Sequence, residues 1–445
     1  MRKLSAYIAQ APRRPLPVKV TERAKHHLLD TLAAMISGSQ LLPGRRAIAY
    51  VGAQGGAPEA GVIGSRIVTT AVNAALANGM LGHSDETDDT HYMAGVHPGC
   101  SVVAAALAMA ERGRCSGTAL LRATVLGYDV CARMAQALGF SRFSSAGHST
   151  HSFGGTFGAA AAAGALAGVN ADRARYLLSY AAQQVSGLAC WARDTEHVEK
   201  AFDFGGMPAR NGVTAATMVA SRFTGVEDVF AGDRGFFHAY GQFARPARLV
   251  ERLGREYEIM NTAIKRWPVG YPIQAPLDAL SNLLARHDVN PADIEHIDVT
   301  IDDRGAYTVN RRRMTSINIQ HLMAIMLIDG DITFASSHDA ARARDPAVAR
   351  LKKRIKLTGS AQLGRAKTTQ AVVELTTRSG KRLRYHTRAV RGTATNPMSR
   401  DEVEMKSRGL LTPLLGARRT QRLIETVRNI ERVGNMRDLR PLLQP

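Results

Sequence analysis

The chain has 445 residues, of which 45% are hydrophobic and 22% charged, the composition of an ordinary globular protein with room for two domains. Four widely spaced cysteines, Cys100, Cys115, Cys131 and Cys190, form no CxxC or Cys/His cluster, which argues against zinc and iron–sulfur frameworks. The unusual bulk property is charge: 58 Lys and Arg against 38 Asp and Glu give a formal +20.

That charge suggests nucleic acid, an anion-attracting field or a merely solubilising surface. The basic residues are dispersed, with short clusters only at Arg311–Arg313 and Lys352–Arg354, and no recognition-helix, finger or RNA-binding signature accompanies them. Charge without a motif argues against nucleic acid. The basic N-terminus MRKLSAYIAQAPRRP lacks an apolar core of signal-peptide length, and the small-apolar stretch Gly158 to Val169 is too short to span a bilayer. A cytoplasmic protein with no membrane partner is expected.

In chain order, the first 260 or so residues read as successive helices. Val20 to Ser37 places Ala24, Leu28, Leu32, Met35 and Ile36 on one face, with Thr21 as a candidate N-cap. Thr69 to Gly82 and Ser101 to Arg112 follow, then Gly117 to Leu138 behind Ser116. Gly155 to Gly168 is mostly alanine and glycine, Asn170 is placed to cap Ala171 to Leu188, and Pro208 to Arg222 completes the series. Helices so poor in large side chains allow close approach of their axes and belong in an interior.

After Trp267 the pattern changes. Glu295 to Ile301 alternates like a strand, and Arg354 to Thr358 is a second candidate. Thr369 to Thr377 and Lys381 to Thr387 flank Ser379-Gly380 as a hairpin. Helices are expected at Pro276 to Arg286 and Ile319 to Ile328, and from Asp345-Pro346. The tail returns to helix over Arg400 to Arg408, behind a Ser399/Glu402 capping box, and over Thr420 to Val433. The fold expected is mostly α: an all-helical domain of residues 1–264 and 396–445, built from both chain ends, with an inserted smaller α+β domain of residues 265–395.

Four polar clusters are candidates for chemistry. The densest runs from His83 through Asp85, Glu86, Asp88, Asp89 and Thr90 to His91, followed by His97-Pro98-Gly99 at a helix start. Carboxylate and imidazole beside the free N–H groups of a helix suit proton abstraction next to a carboxylate; a hydrogen-bonded cap or a divalent-metal site are the competing readings. GHSTHSFGG, with His148 and His151, opens the next small-residue helix. The charged run Arg193 to Lys200, read alone, is more typical of a solvated turn, and Lys265-Arg266-Trp267-Pro268 lies where the composition changes. No Rossmann, Walker-A or GxSxG motif occurs, which argues against nicotinamide, ATP and esterase chemistry.

These clusters, in this order, resemble the MmgE/PrpD family, whose members include 2-methylcitrate dehydratase, cis-aconitate decarboxylase and iminodisuccinate epimerase. The likeness is carried by LLDTLAAMISG, HSDETDDTHYMAGVHPG, HSTHSFGGTFGAAAAAG, EKAFDFGGMPARNG, IKRWPVGYPIQAPLDAL, INIQHLMAIMLIDGDITF and NPMSRDEVEMKSRGLL. The resemblance implies a homodimer that needs no cofactor and no metal. It places the family's acidic site residue at Glu86, with Thr90 and His97 nearby. It matches the second-cluster histidine to His151, with His148 as the alternative, and the two pocket lysines to Lys200 and Lys265. Glu86 stands where many relatives have Asp, and Gly270 and Gln274 where relatives commonly have cysteine and histidine. The intervals after Thr90, His148 and Lys200 are each one residue longer.

The function expected is proton abstraction alpha to a carboxylate of a small di- or tricarboxylate bound between the domains. His97, His151 and Glu86 are the acid–base candidates, and Lys200, Lys265 and the helix start behind His97 hold the substrate's charge. Dehydration of the 2-methylcitrate type is the first expectation, with epimerisation or decarboxylation as alternatives. A non-catalytic ligand- or nucleic-acid-binding role is the remote one.

Overall fold

The computed structural model describes residues 1–339, 341–366 and 368–444; residues 340, 367 and 445 of the expected domain spans lie outside the described residues. Helix dominates, and the chain divides into two compact units, one of Met1–Ser84, Asp88–Ala263 and Arg400–Pro445 and one of Asp85–Thr87 and Ile264–Ser399.

The first unit begins with α1 (Arg2–Gln10), α2 (Val18–Gly38) and α3 (Leu42–Gln54). In α2 the predicted stripe of Ala24, Leu28, Leu32, Met35 and Ile36 is buried. The cap expected of Thr21 is corrected: Pro17 takes the N-cap position, with the fixed φ that suits a chain entering a helix, and Thr21 lies within the first turn with its hydroxyl on the Pro17 carbonyl. Next come α4 (Ala71–Gly82), α5 (Pro98–Arg112), α6 (Gly117–Leu138), α7 (Thr150–Leu166), α8 (Ala171–Gln184) and α9 (Met207–Ala220). Side chains of Thr70, Ser116 and Asn170 cap α4, α6 and α8. Helix α8 stops at Gln184, short of the expected Leu188, because Val185 turns to extended backbone.

The alanine-rich α7 is central, packed on α5, α6, α8 and α9. A Cβ at Gly158 would stand 2.6 Å from the Gly127 carbonyl of α6, and one at Gly212 of α9 2.5 Å from the Ala160 amide. Backbones this close leave no room for side chains, which is why the segment spends helix propensity on glycine, at about 1 kcal/mol each.

The second unit holds a four-stranded sheet of β1 (Ile294–Ile301), β2 (Ile355–Gly359), β3 (Ala371–Thr377) and β4 (Arg382–Thr387) in the order β2-β1-β3-β4. β2 runs parallel to β1, reached through a helical crossover, while β1/β3 and β3/β4 are antiparallel. Ile297, Val299 and Ile301 are buried as their alternation predicts. Helices α10 (Tyr271–Arg286), α11 (Ile319–Asp329) and α12 (Pro346–Arg354, capped by Asp345) supply the rest of its core. Helix α10 starts a turn before the expected Pro276, because Pro272 sits in the first turn, where a missing N–H costs nothing.

The chain then returns to the first unit as α13 (Arg400–Arg428), broken at Gly416 (φ 73, ψ 160) and packed on α2. There the Lys406 ammonium meets Asp30 at 2.5 Å, both side chains buried.

Candidate active site

Helix α4 ends with His83 as C-cap and α5 starts with His97 as N-cap, and every residue from His83 to His91 is buried. Burying so many polar groups is costly unless each is bonded or used. Asp89 shows the first outcome. It accepts from the Tyr128 hydroxyl at 2.6 Å and the Gly99 amide at 3.0 Å, and His27 Nδ1 stands 2.6 Å away. Asp89 thus takes the Gly99 amide, one of the donors of the α5 start that was expected to hold substrate charge.

Asp88, the next residue back, is arranged for chemistry. Both of its oxygens lie 3.0 Å from His83 Nδ1, and Oδ1 lies 3.2 Å from His97 Nδ1, inside ion-pair reach but off the hydrogen-bonding direction. Burial alone would raise its pKa, but the two imidazoles outweigh burial and hold the carboxyl well below the usual range. Burial pushes His83 the other way, down to about 4, despite Asp88. A neutral His83 facing a carboxylate carries its proton on Nδ1, so Nε2 presents a lone pair; that atom is buried with no hydrogen-bond partner among the described residues. A carboxylate orienting an imidazole whose far nitrogen is a free acceptor is the arrangement of a general base.

The depressed pKa has a sign that can be checked. Between about 4 and 6.5 the unfolded chain binds the His83 proton and the folded one does not, so this group removes stability as pH falls through that window. The His83 ring signals in a histidine-labelled sample are expected to stay those of the neutral ring from pH 8 to 5. A midpoint near 6.5 would mean that the ring is not desolvated as described.

Around this pair other rings gather. The centroid of His97 lies 4.8 Å from His83 and 5.3 Å from His151, and His197 lies 5.1 Å from His83. Phe204 stacks on His151 at 3.6 Å and 12° and on His83 at 4.4 Å and 19°, with Trp191 edge-on at 4.7 Å. The Lys200 ammonium stands over both aromatic faces, 5.1 Å from Phe204 and 5.4 Å from Trp191. Phe204 comes from a π turn, Phe202–Gly206, that enters α9. A π turn accommodates one more residue than α-helix, and it falls just after Lys200.

In the second unit the Lys265 ammonium, fully buried, donates to the Glu86 carbonyl at 2.7 Å and stands 3.7 Å from its carboxylate. His338 faces Asp85 at 3.4 Å.

His97, His151 and Lys200 are thus brought together in the first unit, and Glu86 and Lys265 in the second. Thr90 is engaged in backbone pairing with Ala263, its hydroxyl 3.5 Å from the Val96 carbonyl. His148 is not in the ring cluster: it stacks on Phe143 at 4.6 Å, just outside α7, whereas His151 lies in the helix's first turn. His83, Asp88 and Phe204 were not among the expected site residues. The first two stood in the polar cluster, five apart, but spacing does not say which of four carboxylates faces an imidazole. The donor atoms of His83, Asp88 and His97 lie within 4.8 Å of one another, so these residues are also placed to hold a divalent ion.

A buried carboxylate–imidazole set beside the Lys200 ammonium is equipment for acid–base work on an anion. The chain belongs to the MmgE/PrpD family: residues 2–248 match its N-terminal domain and residues 267–432 its C-terminal domain. It is similar to a cis-aconitate decarboxylase-like protein of Aspergillus oryzae, with 24% identity covering 96% of this chain and 94% of that protein. It is similar to the human cis-aconitate decarboxylase, with 26% identity over 96% of this chain and 90% of the relative. The enzyme of that name from Aspergillus terreus shares 26% identity over 71% of this chain and 69% of its own.

Proposed function

We propose that the protein is a lyase that moves a proton at a carbon alpha to a carboxylate of a small di- or tricarboxylate. The observation that carries the reading is Asp88 facing His83 and His97 together, which leaves His83 Nε2 as an acceptor in a cluster where the His97 ring neighbours both His83 and His151. One imidazole takes the alpha proton, or in a decarboxylation protonates the delocalised carbanion left by loss of CO2, at its carbon alpha to a remaining carboxylate. Lys200, which stands over Phe204 in the same cluster, is assigned to the substrate's charge, and another of the imidazoles to the second proton transfer. Cations near the developing enolate or carbanion lower the barrier that poor C–H acidity imposes.

Decarboxylation of cis-aconitate is the first reaction to test, because the relatives carry that name. Dehydration of 2-methylcitrate and epimerisation of iminodisuccinate use the same acid, base and cation set and come next. The test incubates the protein in D2O with cis-aconitate, methylcitrate, citrate and iminodisuccinate under proton NMR. Deuterium entering a carbon alpha to a carboxylate supports the proposal, and loss of CO2, loss of water or inversion identifies the reaction. A folded protein that leaves all four compounds unlabelled and unchanged counts against it.

A further inference from the structure

The π turn Phe202–Gly206 holds two residues with opposite duties. It is packed backbone to backbone on α4: a Cβ at Gly205 would lie 2.0 Å from the Gly79 carbonyl oxygen. A turn fixed this closely can serve as a reference for what it touches. Phe204 lays its ring flat on the His151 ring. Asp203, one residue earlier, is buried and meets the start of α7, the helix that carries His151.

Ser149, the N-cap of α7, donates its hydroxyl to Asp203 Oδ2, and the Ser152 hydroxyl also faces that carboxylate. Ser149 and Ser152 flank His151 in the chain, so the two attachments straddle it. The third wall is Gly187, whose carbonyl accepts the Ser149 amide at 3.1 Å. A Cβ there would fall 1.7 Å from Ser152 Oγ and 2.7 Å from Asp203 Oδ1, so only glycine leaves the knot intact. Burial pushes the Asp203 carboxyl up to about 7, against the two hydroxyls that favour its charge, with Glu199 as the neighbouring acid. A carboxylate at the start of a 17-residue helix also gains from the positive end of its dipole.

We infer that Asp203 is a positioning residue for His151, acting through Ser149 and Ser152, so that one π turn fixes both the backbone and the ring face of that histidine. The inference rests on the reading that His151 belongs to the acid–base set.

The test separates the two. Histidine-labelled protein, with His151 assigned by His151→Gln, is titrated by NMR as wild type, Asp203→Asn and Asp203→Ala, and the D2O reaction is followed in parallel. In Asp203→Ala the His151 signals are expected to move and its midpoint to shift by about half a pH unit or more. kcat is expected to fall about tenfold with KM nearly unchanged, and Asp203→Asn, which keeps shape without charge, to lie between. Unchanged His151 signals in a folded Asp203→Ala protein would overturn the inference. Displaced signals with undiminished kcat would uphold it and remove His151 from the proposed reaction instead. If Asp203→Ala does not fold, Ser149→Ala, which deletes one donor only, is read in the same way.

Discussion

Asp88→Asn and His97→Ala are each expected to slow alpha-proton exchange by about 10²–10⁴-fold, the range general acid–base groups supply. His97→Ala should differ little in stability from wild type, whereas Asp88→Asn should lose the part that comes from a charge the folded state favours. An asparagine at 88 can still accept from His83 Nδ1–H through its oxygen and present its amide to His97, 3.2 Å away in the native protein, so the shape of the contact survives. What is lost is the charge that fixes the His83 tautomer and stabilises the imidazolium formed when Nε2 takes a proton. His97 is partly accessible, so shortening it leaves a space that water can enter rather than a dry void. The check is a D2O exchange assay beside a thermal melt. Full exchange in Asp88→Asn would move the base away from the His83–Asp88 pair and toward Glu86, whose neighbour Lys265 lies within 3.7 Å of its carboxylate.

Much of the fold was legible because it is written in periodicity and caps. The α2 stripe, the Ser116 start of α6, the Asp345-Pro346 start of α12 and the hairpin of β3 and β4 follow from local chemistry alone. What escaped was local in a different sense. Helix α1 has the period, with Leu4, Tyr7 and Ile8 buried, but it is short and basic, so its sequence resembles a leader's start as much as a packed helix. Helix α3, not among the expected helices, carries Pro43 and Gly44 in its first turn, residue types that favour turns although both are tolerated there. The pairing of β1 between β2 and β3 joins strands far apart in sequence, and no periodicity encodes partners.

The site divides in the same manner. Its raw materials, a polar loop between two apolar helices and a histidine at the head of a third, could be found by composition. Which nitrogen faces which oxygen could not. The choice between His148 and His151 turned on where α7 begins, and helix boundaries are the least certain reading of any sequence. Phe204 was hidden because a π turn has no composition of its own: FDFGG reads as a glycine break, yet it is continuous helix with one extra residue.

Asp89 supplies the counterpart to Asp88. Replacing it by alanine is expected to cost about 3–5 kcal/mol, the penalty for removing one member of a buried polar network, whatever it does to activity. Tyr128, His27 and Gly99 all direct polar groups at this carboxylate, and none of the three side chains or amides has access to water where it stands. Tyr128→Phe should cost about 1 kcal/mol, since it removes one donor and leaves the carboxylate two. Combined with Asp89→Ala it should add little, because the hydroxyl it deletes has already lost its partner. Equilibrium unfolding of the three variants tests this cycle. If Asp89→Ala unfolds like the wild type but exchanges no protons, the roles of these adjacent carboxylates are reversed. The network on Asp89 would then be what tunes a reacting group, and Asp88 would be the residue that holds the loop.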